Sequence, residues 1–218
     1  MELKGLKINV LGDSITFGVG TSDQKYVYWN LLNTEDGAIA RGYGIRGTRI
    51  ARQQKPTVQA PDFDKYYRTR VAEMDPDADV VLVFGGTNDY GHGDAPLGCM
   101  SDRTDDTFYG AMHNLCLDLI RKYPDAVIAF LTPTHRLEEH RAINEYGVRN
   151  VGCLEDYVNI IQEVAAFYGL PVVDLYRTSG LQPEVEELRE KYNPDGLHPS
   201  DAGNRRIYRK VREFLLSL

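Results

Sequence analysis

Cysteine is scarce. Cys99, Cys116 and Cys153 are the only three in 218 residues, odd in number, far apart and without a close Cys-x-x-Cys pair. That argues against a disulfide framework and against the usual zinc-binding spacing. The expectation is a cytoplasmic protein with reduced thiols, in which Cys116 is a small buried hydrophobe within a helix. Long apolar runs are missing too. Nothing approaches the roughly 18 consecutive apolar residues of a membrane span, and residues 1–11 lack the apolar stretch of an export signal. Positive charge is in the minority, with 25 Lys and Arg against 32 Asp and Glu and a formal net charge of -7. An acidic surface, with a pI near 5.3, opposes phosphate, so neither a nucleic acid nor a membrane is expected as a partner.

What is present is the ordinary mixture of a packed domain, 42% hydrophobic and 26% charged. No internal repeat, low-complexity tract or composition break marks a linker, and domains usually run to roughly 100 to 200 residues. The chain is therefore read as a single domain over 1–218. Short apolar runs rich in β-branched residues, at 7–11, 38–42, 80–85, 127–131 and 171–175, alternate with amphipathic segments at 28–32, 63–74, 107–123, 154–168 and 201–218. That alternation predicts an α/β fold with a central parallel sheet of five strands, and Asp201 as N-cap of the closing helix. Two longer polar stretches, 90–106 and 133–152, follow strand ends, where open parallel sheets place their ligand crevices.

Four stretches carry residues suited to one chemistry. Gly12-Asp13-Ser14 follows the first strand directly. A serine there points into the crevice, although Gly-Asp-Ser on its own is more often an ordinary helix cap. Serine needs a base to become a nucleophile, and the base needs an orienting group. Asp195-Gly196-Leu197-His198-Pro199 supplies both within a span of three residues. The carboxylate holds one ring nitrogen while the other faces Ser14. Acyl transfer also requires donors aimed at a developing oxyanion. Asn88, in Phe84-Gly85-Gly86-Thr87-Asn88-Asp89, offers an amide, and the glycine-rich run 42–48 offers backbone N–H groups.

Together these blocks resemble the SGNH (GDSL-like) hydrolases over nearly the whole length. Gly12-Asp13-Ser14 is similar to their first block, Gly47 to the second-block glycine, Gly85 to Asp89 to the third and Asp195 to Pro199 to the fifth. The resemblance implies a three-layer α/β/α, flavodoxin-like fold without metal or cofactor. It also implies Ser14 as nucleophile, His198 as base and Asp195 as its partner. The oxyanion hole would comprise the Ser14 N–H, the Gly47 N–H and the Asn88 side chain, with Gly44 as the alternative to Gly47. The Gly-x-Ser-x-Gly elbow of α/β-hydrolases does not occur at Ser14.

The stretches expected to wall the site are polar. Asp13, Arg46, Tyr90, His92 and Arg136 are the candidate substrate contacts, which points to a short-acyl ester such as an acetylated carbohydrate. A lysophospholipase or thioesterase with the same three residues, or a silent carbohydrate-binding module, are the alternatives. A metal at His92 with Asp89 and Asp94 lacks further ligands in the sequence. His135 and His140 read as solvated loop positions, His113 as structural, and Tyr26, Tyr28 and Trp29 as packing residues rather than a sugar platform.

Overall fold

The computed structural model describes residues 2–141, 143 and 152–218. Its sheet consists of β1 (Lys7–Gly12), β2 (Ile39–Gly44), β3 (Val80–Phe84), β4 (Val127–Leu131) and β5 (Val172–Val173). All neighbours are parallel and the spatial order is β2-β1-β3-β4-β5. This is the doubly wound, flavodoxin-like arrangement. Its central strand β3, Val-Val-Leu-Val-Phe, is buried at every position, as a strand covered on both faces must be.

The strand period of two sends alternate side chains to opposite layers. Leu11, Val81, Val83, Ile128 and Phe130 face one core, packed by α5 (Phe108–Lys122) and α6 (Leu154–Phe167). Ile8, Val10, Leu82, Phe84 and Leu131 face the other, beneath α2 (Tyr28–Asp36) and α9 (Asp201–Ser217). Cys116 lies fully buried in the first core. Short helices α1 (Ser14–Phe17), α3 (Tyr67–Arg70), α4 (Thr87–His92), α7 (Leu175–Thr178) and α8 (Glu186–Tyr192) complete the description. Among the described residues no helix is long and apolar enough to cross a membrane.

Three expectations change. The helix expected over 63–74 is instead a 3-10 turn at Pro61–Asp64, the single helical turn α3, and a second 3-10 turn at Val71–Glu73. Side-chain bonds compete with helix here: the Asp64 carboxylate accepts from the Thr57 N–H at 2.8 Å, and Tyr67 is drawn inward to donate to the Phe84 carbonyl at 2.8 Å. The last strand stops at Val173, because the Asp174 carboxylate accepts from the Arg177 N–H at 3.1 Å and starts α7. Ser200, not Asp201, caps α9: its Oγ accepts from the Gly203 N–H at 3.3 Å. Asp201 sits in the first turn and reaches across to the loop after α1, accepting from the Ser22 N–H at 2.9 Å and the Ser22 hydroxyl at 2.6 Å.

In this strand order the chain leaves β1 and β3 toward opposite sides, so a crevice opens between their carboxyl ends. Ser14 follows β1 and Asn88 follows β3; both lie at that crevice.

Candidate active site

Ser14 is aimed by the turn that precedes it. Gly12 closes against its own next turn so tightly that a Cβ there would lie 1.9 Å from Thr16 Oγ1, and only glycine permits that approach. Asp13 caps α1 by accepting from the Ile15 N–H at 3.0 Å. Beneath, Arg70 donates to the Gly12 carbonyl at 3.0 Å and to the Tyr43 carbonyl at 3.1 Å, joining the ends of β1 and β2.

His198 arrives from the loop before α9. Its Nε2 lies 3.0 Å from Ser14 Oγ and its Nδ1 2.6 Å from Asp195 Oδ2. The other oxygen of Asp195 accepts from the Leu197 and His198 N–H groups at 2.9 and 2.7 Å. Partial burial opposes the charge on Asp195, but the His198 ring and these two amides outweigh it and hold the carboxyl at about 2. An ionised carboxylate accepts only, so the ring proton sits on Nδ1 and the Nε2 lone pair faces the serine hydroxyl. The loop is fastened by the Leu137 N–H donating to the Gly196 carbonyl at 2.8 Å and by the Asp201–Ser22 bonds.

Across from the serine, Asn88 Nδ2 donates to the Thr48 carbonyl at 3.0 Å. A carbonyl can only accept, which sets the amide's orientation and leaves Nδ2 a second hydrogen. Asp89 ties the same two segments together, its two oxygens accepting from the Ile50 and Ala51 N–H groups at 2.9 Å each. Gly47 adopts φ +70°, and a Cβ there would stand 2.3 Å from the Phe63 ring. Both facts demand glycine. Gly47 lines the cleft with Ser14, whereas Gly44 ends β2 packed on the Thr16–Phe17 backbone and lines a neighbouring groove instead.

The cleft holds about 230 Å³. Ser14, His198, Asn88 and Gly47 form its polar side; Val19, Phe63 and Leu197 its apolar side; Arg46 and His92 complete it. Among the described residues no acidic side chain lines it. Of the expected substrate contacts, Arg46 and His92 are at the cleft, and the other three are not. Asp13 lies buried behind the serine. Tyr90 is fully buried, its hydroxyl donating to the Glu138 carbonyl. Arg136 is buried and donates to the Thr87 carbonyl at 3.1 Å. His92 Nδ1 lies 3.1 Å from an Arg49 nitrogen that can only donate. Burial first, then the Arg49 and Arg136 charges, hold this imidazole neutral and down at about 3.

The remaining expectations sort by packing. The carboxylates of Asp89 and Asp94 are engaged by backbone amides, the latter those of Gln54 and Lys55. Among the described residues no cluster of three or more His, Cys, Asp or Glu is arranged to hold a metal. His113 bridges Tyr168 and the Met100 carbonyl inside the α5 layer. His140 is exposed, but His135 is not a solvated loop residue: it pairs with buried Glu139 at 3.0 Å and stacks on Tyr176. Tyr28 is buried against Thr16, and Trp29 donates to the Thr16 carbonyl. Of the stretch 133–152, residues 142 and 144–151 lie outside the described residues. Phe63, Val19 and Leu197 had no signal of their own; each is an ordinary apolar residue brought to the cleft by the fold.

Residues 10–206 match the GDSL-like Lipase/Acylhydrolase family. The chain belongs to that family. It is thus a hydrolase acting on esters. A solved protein from Lactobacillus plantarum is 31% identical to this GDSL-like hydrolase, covering 98% of both chains with a TM-score of 0.82. An acetyl xylan esterase is 22% identical over 95% of this chain and 98% of its own, TM-score 0.61. A lipase/acylhydrolase from Enterococcus faecalis is 21% identical over 95% and 94%, TM-score 0.59. The last two likenesses extend to the fold. Among curated proteins none matches the chain.

Proposed function

We propose that this GDSL-like hydrolase is a serine esterase for short-acyl esters, with Ser14 as nucleophile. The observation that carries the proposal is the hydrogen-bonded series Ser14–His198–Asp195 opening into a cleft of about 230 Å³. Ser14 Oγ attacks the ester carbonyl while His198 Nε2 takes its proton, and Asp195 stabilises the imidazolium that results. The carbonyl oxygen becomes an anion. The Ser14 and Gly47 N–H groups and the second hydrogen of Asn88 Nδ2 are the donors assigned to it. His198 then returns the proton to the departing alcohol. Water, activated by the same imidazole, releases the acid from the acyl-serine.

The volume of the cleft supports a short acyl group. Sites that enclose drug-sized ligands measure roughly 300 to 1,000 Å³, and a cleft of about 230 Å³ suits an acetyl or propionyl group together with the ester atoms. The polar rim, with Arg46 and His92, favours a polar alcohol such as a sugar hydroxyl over a lipid. A series of p-nitrophenyl esters from acetate to palmitate tests this: kcat/KM is expected to be highest for acetate or propionate and to fall beyond butyrate. A maximum at octanoate or longer would refute the short-acyl assignment while leaving the nucleophile intact.

A further inference from the structure

Arg46 differs from the other arginines at this end of the sheet. Arg49 is paired with Asp64 at 2.7 Å, and Arg70 and Arg136 donate to backbone carbonyls. Arg46 has no hydrogen-bond or ion-pair partner among the described residues; its guanidinium lies 4.5 Å from the centre of the Phe17 ring. A cation–π contact of this kind uses none of the guanidinium's forked N–H donors. Phe17 belongs to the same helical turn as Ser14, so the platform is fixed relative to the nucleophile.

The position is a junction. Arg46 lines the Ser14 cleft and also an adjoining groove of about 540 Å³, walled by Phe17, Ile45, Pro61 and Phe63. Among the described residues the groove has one acidic lining residue, Asp62, which pairs with Lys65 at 2.9 Å on the exposed surface. An exposed guanidinium with no protein partner among the described residues, beside a wall whose acidic residue is paired with a lysine, is suited to an oxyanion. With the acyl group in the smaller cleft, the alcohol part of the ester is the portion that extends into the groove.

We propose that Arg46 is a specificity-determining residue that selects esters whose alcohol portion carries a carboxylate or phosphate. This rests on the esterase assignment above. The test compares 4-acetoxybenzoate with its methyl ester, which share the acetyl group and differ in the charge on the leaving group. Acetoxyphenyl phosphate serves as the second anion and separates carboxylate from phosphate selectivity. The ratio of kcat/KM, anionic over neutral, is expected to fall roughly five- to tenfold in Arg46→Gln. The loss should appear in KM, with Arg46→Lys restoring part of it. Equal ratios in the parent and Arg46→Gln, for both anions, overturn the proposal.

A binding arm keeps this separate from catalysis. Calorimetric titration of 4-acetoxybenzoate into Ser14→Ala and into Ser14→Ala/Arg46→Gln is expected to show the same five- to tenfold weakening without the arginine. Equal affinities would count against Arg46 whatever the turnover. Failure of the parent protein to hydrolyse either ester would instead refute the esterase assignment, and the binding comparison would still decide the role of Arg46.

Discussion

A single side chain here acts through the atoms that orient it. Asn88 is one of several amides near the sheet edge, but its bond to the Thr48 carbonyl fixes which end faces the cleft. On the proposed mechanism, Asn88→Ala removes one oxyanion donor and leaves Ser14 and His198 in place. The expected result is a fall in kcat of roughly a hundred- to a thousandfold with KM changed far less; an unchanged kcat would remove Asn88 from the mechanism. Ser14, Asp195, His198 and Asn88, which the structure brings together, could be grouped from the sequence because each lies in a compact block at a strand end or before the final helix. Tyr90 and Arg136 could not be judged in the same way. Polarity suggested a site wall, yet both turn inward, Tyr90 to the Glu138 carbonyl and Arg136 to the Thr87 carbonyl. Side-chain direction depends on tertiary partners that no local pattern encodes.

Elements deliver these side chains by being tied to one another. The His198 loop and the Ser14 loop belong to opposite ends of the chain, and Asp201 at the start of α9 joins them through Ser22. These bonds are exposed and worth only about 1 kcal/mol each, so their effect on stability is small. Their effect on geometry is larger, since a displacement of about 1 Å at a reacting pair costs up to a hundredfold. Asp201→Ala is expected to lower kcat/KM about tenfold while the thermal midpoint moves by only a few degrees; unaltered kcat/KM would show that the loops hold their distance without the clamp. Strands β1, β3 and β4 were legible as apolar, β-branched runs, because burial on both faces leaves little freedom of composition, whereas the edge strand β2 is only partly buried. The segment 63–74 was not legible. Its apolar spacing suits a helix, but Asp64 and Tyr67 are bonded outside the segment and break it into turns. That break is what brings the Phe63 ring over Gly47 and gives the cleft its apolar wall.

For the molecule as a whole, burial of titratable groups beside the site sets opposing pH dependences. His92 is held down at about 3, chiefly by burial and then by Arg49 and Arg136. Unfolded, a histidine takes up a proton near pH 6.5, so the stability contributed by keeping His92 neutral is complete above that pH and is lost as pH falls toward 3. Asp13 and Asp89, raised to about 6 by burial against the pull of their backbone N–H bonds, act in the other direction and lose stability as pH rises from about 4 to 6. His92→Gln removes only the first effect. The drop in thermal midpoint between pH 7 and pH 4 is therefore expected to be smaller in His92→Gln than in the parent; identical drops would mean that His92 does not titrate differently on unfolding.

The central claim is that the series Ser14–His198–Asp195 performs acyl transfer. Its most direct test is the hydrolysis of p-nitrophenyl acetate by the parent protein and by Ser14→Ala, both purified and shown to be folded. Turnover by the parent that disappears in Ser14→Ala is the predicted result. Turnover that survives the loss of the serine hydroxyl at the parent's rate would contradict the account, because Ser14 is the residue assigned the attack on the ester.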